Sequence, residues 1–237
     1  MIRKQKLDLQ VYAYRGERDI PALVGLFAAA AEVDGPDLGR TEGQIRQMLS
    51  SPRTKPEENL FFFAVEGEVA AYGRTFLEDG PGESVFRLTG VVHPDWRRKG
   101  VGTLVIERLE QRIRERLDEP ANETVQVMVG TNLEHKDRLA LFRKTGYQMV
   151  RYFFNMERPL HQEGQPVEVP AAVYPADIIV HSMAERPDLP AARYVCDEAF
   201  RDHWGHTEST MEDWQHWVSE PAHRADLWLL ARDAGSG

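Results

Sequence analysis

The chain has 237 residues, 42% hydrophobic and 28% charged, the balance of a soluble globular protein with room for one domain but short for two of usual size. Lysine and arginine total 29 against 38 aspartates and glutamates, a formal charge of -9, which argues against general nucleic-acid binding because that affinity rests on neutralising phosphates. No apolar run reaches the ~18 residues of a membrane span, and the single cysteine, Cys196, excludes a disulfide framework and a Cys-based zinc site. The basic opening Met1–Lys6 leads into an alternating polar stretch rather than an apolar signal core, so a cytoplasmic protein is expected.

In chain order, Leu9–Tyr14 reads as a strand. Asp19 stands where it would cap a helix with Ile20, Leu23, Val24, Phe27 and Ala31 on one face. Thr41 and Gln44 form a capping box ahead of a second helix striped by Ile45, Met48 and Leu49. Leu60–Val65 is an apolar strand that turns at Glu66-Gly67-Glu68 into Val69–Glu78, and a second turn at Asp79–Gly82 leads to the strand Ser84–His93. A helix follows from about Gly100 to Leu117, with Val101, Val105, Leu109, Ile113 and Leu117 on its buried side. Thr124–Gly130 is a strand, Lys136–Lys144 a helix and Tyr147–Glu157 a final strand. This order predicts an α/β (α+β) fold with a mixed, mostly antiparallel sheet flanked by helices.

Pro159–Pro175, with Gly164, Pro166 and Pro170, reads as a linker, and beyond it the opening pattern starts again. Asp19-Ile20-Pro21-Ala22 returns as Asp188-Leu189-Pro190-Ala191, an offset of 169 residues, and Thr41, Ser50 and Pro52 recur as Thr210, Ser219 and Pro221. Residues 19–52 hold 7 identities in 34 ungapped positions with their counterparts, where chance gives roughly two at typical residue frequencies. Leu60–Ala64 then aligns with Leu227–Ala231. Shared caps, stripes and breakers point to duplication of one supersecondary unit. The expected organisation is a complete domain over 1–158, a linker over 159–175 and a partial second copy over 176–237. The second-copy strand Leu227–Ala231 would expose an edge, a place for a homodimer contact.

The segment Val92-His93-Pro94-Asp95-Trp96-Arg97-Arg98-Lys99-Gly100-Val101-Gly102-Thr103 leaves a strand and opens a helix. Unpaired N–H groups at a helix start, the helix dipole and close-approach glycines make an anion site, and Arg97, Arg98 and Lys99 add full charges. A nucleotide P-loop would need Lys-Ser/Thr after its second glycine, but Thr103-Leu104 follows Gly102. A dinucleotide fingerprint would need a third glycine in a strand–helix–strand unit, which is missing. The remaining pattern, Arg-x-x-Gly-x-Gly after Val-x-Pro, resembles the acyl-coenzyme A signature of the GNAT N-acetyltransferase superfamily. The later Phe142-Arg143-Lys144-Thr145-Gly146-Tyr147 is similar to that family's aromatic-x-x-x-Gly-aromatic motif. Phe154-Asn155-Met156-Glu157-Arg158-Pro159-Leu160 and the repeat resemble tandem GNAT proteins of the mycothiol-synthase type.

The resemblance implies acetyl transfer from acetyl-CoA, as co-substrate, to a primary amine of a small molecule or peptide, with no metal, nucleic acid or membrane involved. A non-catalytic acyl-CoA-binding or regulatory module is the alternative. By resemblance, Val91, Val92 and His93 offer backbone groups to the pantetheine and thioester. Arg97, Arg98, Lys99, Gly100, Val101, Gly102 and Thr103 hold the pyrophosphate, and Asn132 and Phe142 complete the cofactor contacts. An alkyl amine with a pKa near ~10.4 is neutral in only about 1 molecule in 2,500 at pH 7, so a general base helps. Glu78, Glu83, His93, Asp34 and His135 are candidates. Many family members protonate the departing thiolate with a tyrosine where this chain has Phe142, and Tyr147 and Tyr152 are nearby substitutes. Glu83, His93 and Tyr147 are the catalytic candidates carried forward. His203-Trp204-Gly205-His206, with Asp202 and Glu208 nearby, is read as a loop rather than a metal site.

Overall fold

The computed structural model describes residues 8–80, 82–162 and 164–235, so the basic opening Met1–Lys6 lies outside the described residues. The first elements are β1 (Leu9–Ala13), α1 (Ile20–Asp34), α2 (Glu42–Leu49) and the short α3 (Pro56–Asn59). Then come β2 (Leu60–Val65), β3 (Glu68–Asp79), β4 (Ser84–Val92), α4 (Val101–Arg114), β5 (Val125–Val129) and α5 (Lys136–Lys144). The chain continues through β6 (His161–Gln162), β7 (Gln165–Pro166), β8 (Ile178–Ser182), α6 (Leu189–Phe200), α7 (Met211–Val218) and β9 (Leu229–Asp233). It divides into two compact units, Met1–Gly146 with Leu189–His223, and Tyr147–Asp188 with Arg224–Gly237.

In the first unit, β1 to β5 form one sheet in sequence order, antiparallel throughout except for the parallel pair β4–β5. The result is the expected mixed, mostly antiparallel sheet with helices against it. The β2–β3 turn places Glu66 at φ 55 and Gly67 at φ 86, the left-handed pair that matches strand twist in a two-residue hairpin. One face of the sheet packs Phe62, Tyr72 and Val91 against Leu23, Phe27 and Ala30 of α1 and Ile45 of α2. The capping box forms as read, Thr41 accepting from the Gln44 N–H and the Gln44 side chain accepting from the Thr41 N–H.

On the other face α4 crosses β3 at Gly73. A Cβ built there would lie 2.6 Å from Val105 Cγ1 and 3.0 Å from Leu109 Cδ1, so helix and strand approach as closely as glycine permits. Gly73→Ala is therefore expected to cost about 1–3 kcal/mol by overpacking, read as a lower urea midpoint at unchanged slope. An unaltered midpoint would show that α4 moves aside freely.

The second unit holds two antiparallel pairs, β6–β7 and β8–β9. The former places a short hairpin inside the expected linker. β8, α6 and α7 begin 169 residues after β1, α1 and α2. Thr210 and Asp213 close a capping box on α7 as Thr41 and Gln44 do on α2.

Three local expectations are corrected. Asp19 makes no capping bond to α1; its carboxylate accepts from the Arg15 N–H at 2.8 Å and from the Arg15 guanidinium, a nearer charged donor. α4 ends at Arg114, leaving Leu117 55% exposed. The strand expected over Tyr147–Glu157 does not form: no described strand pairs with it, and Phe154 and Met156 are 85% and 96% exposed. Alternation supplies two faces, but a strand exists only where a neighbour completes its ladder.

Candidate acyl-coenzyme A site

The site begins where β4 outruns β5. Their parallel pairing ends at Leu88 opposite Val129, while β4 runs on to Val92 along β3. The His93 N–H donates to Ala70 O at 2.8 Å, which fixes the phase of the β3–β4 ladder. Bonding alternates along an antiparallel pair, so Val91 faces β3 while the backbone groups of Gly90 and Val92 face the side β5 has vacated. No described strand pairs with them there. Gly90 sits opposite Gly73, and a Cβ on Gly90 would meet Tyr72 O at 2.7 Å, so the two strands pass closely at this point.

A 3-10 turn, Pro94–Trp96, links β4 to the loop that opens α4. Arg98 at φ 62 and Gly100 at φ 93 are both left-handed, and Gly100 is the residue before the first turn of α4. Such reversals turn successive N–H groups to one side, making an anion-binding concavity continuous with the helix start. The N–H groups of Thr103 and Leu104 already donate to Gly100 O, while those of Val101 and Gly102 belong to the first turn, which has no intrahelical acceptor. Gly102 is tight for another reason: its Cβ would lie 2.9 Å from Leu141 Cδ2 of α5.

The three basic residues have separate partners. Lys99 Nζ lies 4.5 Å from the centre of the Trp96 ring, and Arg98 makes an exposed ion pair to Asp137 at 3.1 Å, a contact worth little in water. Arg97 turns away from the cradle. Its Nε donates to Val92 O at 3.1 Å, and Nη1 and Nη2 grip Asp34 at 2.7 and 2.9 Å. Its own N–H donates to Pro94 O. Arg97 thus ties the end of β4 to the end of α1 with three of its five N–H groups, leaving one hydrogen on each terminal nitrogen for the pyrophosphate role expected of it.

Asp34 also receives Arg138 of α5 at 2.7 Å and is only 9% exposed. Burial pushes its carboxyl up, but the Arg97 hydrogen bonds and the charges of Arg97, Arg138 and His135 outweigh this and hold it below the ordinary carboxylate range. A carboxylate so held is a poor proton acceptor, which removes Asp34 from the list of bases. Glu83 is displaced by distance: it precedes β4 at the end opposite Val92, roughly 30 Å away by strand rise, and accepts from Gln126 at 2.8 Å. Glu78 pairs with Arg87. His93 is beside the cradle, with Nδ1 accepting from the Asp95 N–H at 3.3 Å, which leaves Nε2 as its outward nitrogen. His135 immediately precedes α5, and Asn132 Oδ1 accepts from the Glu134 N–H at 3.0 Å. Phe142 lies on α5, while Tyr147 and Tyr152 fall in the second unit.

A cleft of ≈ 340 Å³ opens on the α1–α2 face of β3, lined among others by Met48, Arg53, Arg74, Phe76, Glu78 and Trp217. Arg53 is matched by Asp213 at 2.6 Å, whereas Arg74 meets neutral partners: Thr89 Oγ1 at 3.1 Å and Met48 O at 3.4 Å. Sequence reasoning passed over Arg74, although an arginine in phase with Tyr72 and Phe76 on an apolar strand is a visible signal. The His203–His206 segment lies in the connection between α6 and α7, and among the described residues no group of three or more His, Cys, Asp or Glu could hold a metal ion. No helix among them is long and apolar enough to cross a membrane.

Comparison with known proteins bears on this arrangement. The sequence model of the Acetyltransferase (GNAT) family matches residues 23–147, from within α1 to just past α5. A mycothiol acetyltransferase of Parafrankia sp. is 28% identical over 222 residues, 92% of this chain and 64% of that protein. A mycothiol acetyltransferase of Saccharopolyspora erythraea is 30% identical over 142 residues, 58% of this chain and 44% of that protein. The chain thus spans under two thirds of the length of these curated relatives. The crystal structure of a GCN5-related N-acetyltransferase from Sphaerobacter thermophilus superposes with a TM-score of 0.66 at 24% identity, covering 97% of this chain and 69% of that one, which establishes a shared fold. The family match takes in more than half the chain, including the β4 edge, the cradle and α5, and the chain belongs to the GNAT acetyltransferase family.

Proposed function

We propose that the chain transfers an acetyl group from acetyl-CoA to a primary amine by direct attack on the thioester. The observation that carries this reading is the β4 edge left open at Gly90 and Val92, leading into the N–H-rich start of α4. An extended pantetheine arm can take the place of the absent strand, and the cradle of Arg98 to Thr103 suits a pyrophosphate. The thioester supplies the acyl group. The outward Val92 N–H is the donor for the negative charge that develops on the carbonyl oxygen. Arg97 and Asp34 hold that stretch of β4 in place. His93 is the candidate base beside the cradle. With Nδ1 accepting from the Asp95 N–H its hydrogen sits on Nε2, so taking a proton there requires that hydrogen to move to Nδ1 and the Asp95 bond to be given up. Phe142 gives no proton to the departing thiolate, but a thiol with a pKa near ~8.5 leaves at modest cost unprotonated.

The recurrence of β1, α1, α2 and their capping box in β8, α6 and α7 supports reading residues 176–237 as the beginning of a second copy, with the chemistry in residues 1–158. The β8–β9 pair offers an outer strand edge through which a second chain could add. Phe142, and the engagement of the candidate carboxylates Asp34, Glu78 and Glu83 elsewhere, favour the rival reading of an acyl-CoA-binding regulator. Thiol release from acetyl-CoA over a panel of amines, amino acids, aminoglycosides and peptide amino termini separates the two. Turnover with at least one amine is the expected result; binding without turnover on any of them would favour the regulator.

A further inference from the structure

The cleft on β3 carries more than space. Arg74, Phe76 and Glu78 share the strand face of Tyr72, whose ring packs 5.4 Å from Phe27 of α1, while Gly73 and its parity face α4. Ala71 is the register partner of Val92, so Arg74 stands three residues, roughly 10 Å, along β3 from the level of Val92, whose N–H is proposed for the thioester carbonyl. An acceptor lying along this face could place one end at the thioester and the other at Arg74.

The charges in the cleft are uneven. Arg53 has Asp213, and Glu78 has Arg87. Arg74 has no carboxylate within ion-pair distance among the described residues. Its Nε serves Thr89 and one Nη1 hydrogen serves Met48 O, and its guanidinium carbon lies 5.4 Å from the centre of the Phe76 ring. Of the five N–H groups of the fork, one on Nη1 and both on Nη2 remain for a ligand, the edge that grips a carboxylate in bidentate fashion. Burial pushes the Arg74 pKa down, the mark of a charge deprived of water without an opposing charge in return.

We infer that the cleft receives the acyl acceptor and that Arg74 binds a carboxylate carried roughly 10 Å from the reactive amine. This rests on the acyl-transfer reading and narrows it: the acceptor is an elongated amino acid or a short peptide, rather than a simple amine. Arg74 selects the acceptor and takes no part in bond making. The amine attacks the thioester carbon, the carbon–sulfur bond breaks, the electron pair leaves with the coenzyme A sulfur, and the amine proton passes to water.

Calorimetric titration of 8-aminooctanoate, whose extended length suits this separation, is compared with its methyl ester and with 4-aminobutanoate, with and without saturating coenzyme A. The acid is expected to bind about 10- to 100-fold more tightly than the ester, as a charge-assisted hydrogen-bond pair should, and more tightly than the shorter acid. Arg74→Gln should abolish the acid–ester difference and Arg74→Lys should retain part of it, with unchanged circular dichroism in both. Equal binding of acid and ester, no binding of either, or a preference that survives Arg74→Gln overturns the proposal. Failure of coenzyme A itself to bind counts against the acyl-transfer reading instead, and the acid–ester comparison without it still decides the role of Arg74.

Discussion

Gly100→Asp is expected to weaken acetyl-CoA binding by about 30-fold or more while the domain stays folded. Gly100 has φ 93 immediately before α4, and a Cβ there meets nothing within 4 Å, so the substitution causes no collision. The left-handed backbone costs roughly 1–2 kcal/mol for a residue with a side chain, although aspartate tolerates it better than most. The larger effect is electrostatic. A carboxylate at the start of α4 folds onto the N–H groups of the first turn, as capping aspartates do, and so fills the position proposed for the pyrophosphate with negative charge. The helix keeps its cap while the cofactor loses a charge-assisted contact worth about 1.5–3 kcal/mol. Gly100→Ala carries the same backbone strain without the charge and should lose much less. Calorimetry with acetyl-CoA on the three proteins checks this, and equal affinity for the aspartate variant would show that the anion binds elsewhere.

The features that sequence revealed are those decided within a few residues. The Thr41–Gln44 capping box, the Glu66-Gly67 turn and the strand–loop–helix around Gly100 need only their own side chains and backbone, and all form where read. Asp19 shows the limit even at short range: the capping rule held no information about Arg15, whose guanidinium offers the carboxylate a stronger partner. Non-local pairing was harder. The segment 147–157 alternates like a strand, but alternation does not supply a neighbour. Arg97 carried the right charge for a phosphate in the right motif, yet its partner, Asp34, is 63 positions away in sequence and comes alongside only when α1 packs on the sheet. Arg74 was missed because its meaning comes from what surrounds it after folding, a cleft in which the other charges are matched.

The Arg97–Asp34–Arg138 cluster is where that non-local information has the largest expected consequence. Asp34→Asn keeps the shape of the side chain but leaves two guanidinium groups facing each other without an opposing charge. Breaking a fully buried pair costs about 3–5 kcal/mol; here Arg97 and Arg138 remain 25% and 31% exposed, so about 2–4 kcal/mol is expected. The pH dependence separates this from simple loss of packing. The folded-state pKa of Asp34 is depressed, since the Arg97 hydrogen bonds and the surrounding positive charges outweigh the burial that raises it. Its contribution is therefore complete above the unfolded carboxyl value near ~3.9 and is lost as pH falls through the lower folded value. Urea unfolding of parent and variant should differ by a constant amount from pH 7 to about pH 5, and the two curves should converge as the pH drops below about 4. A gap that persists undiminished to pH 3 would assign the effect to packing, and no gap at pH 7 would mean that Arg97 holds β4 without Asp34. The same cluster fixes the Val92 carbonyl through Arg97 Nε, so the variant should also bind acetyl-CoA more weakly, because the backbone edge proposed to receive the thioester loses the side chain that holds it in place.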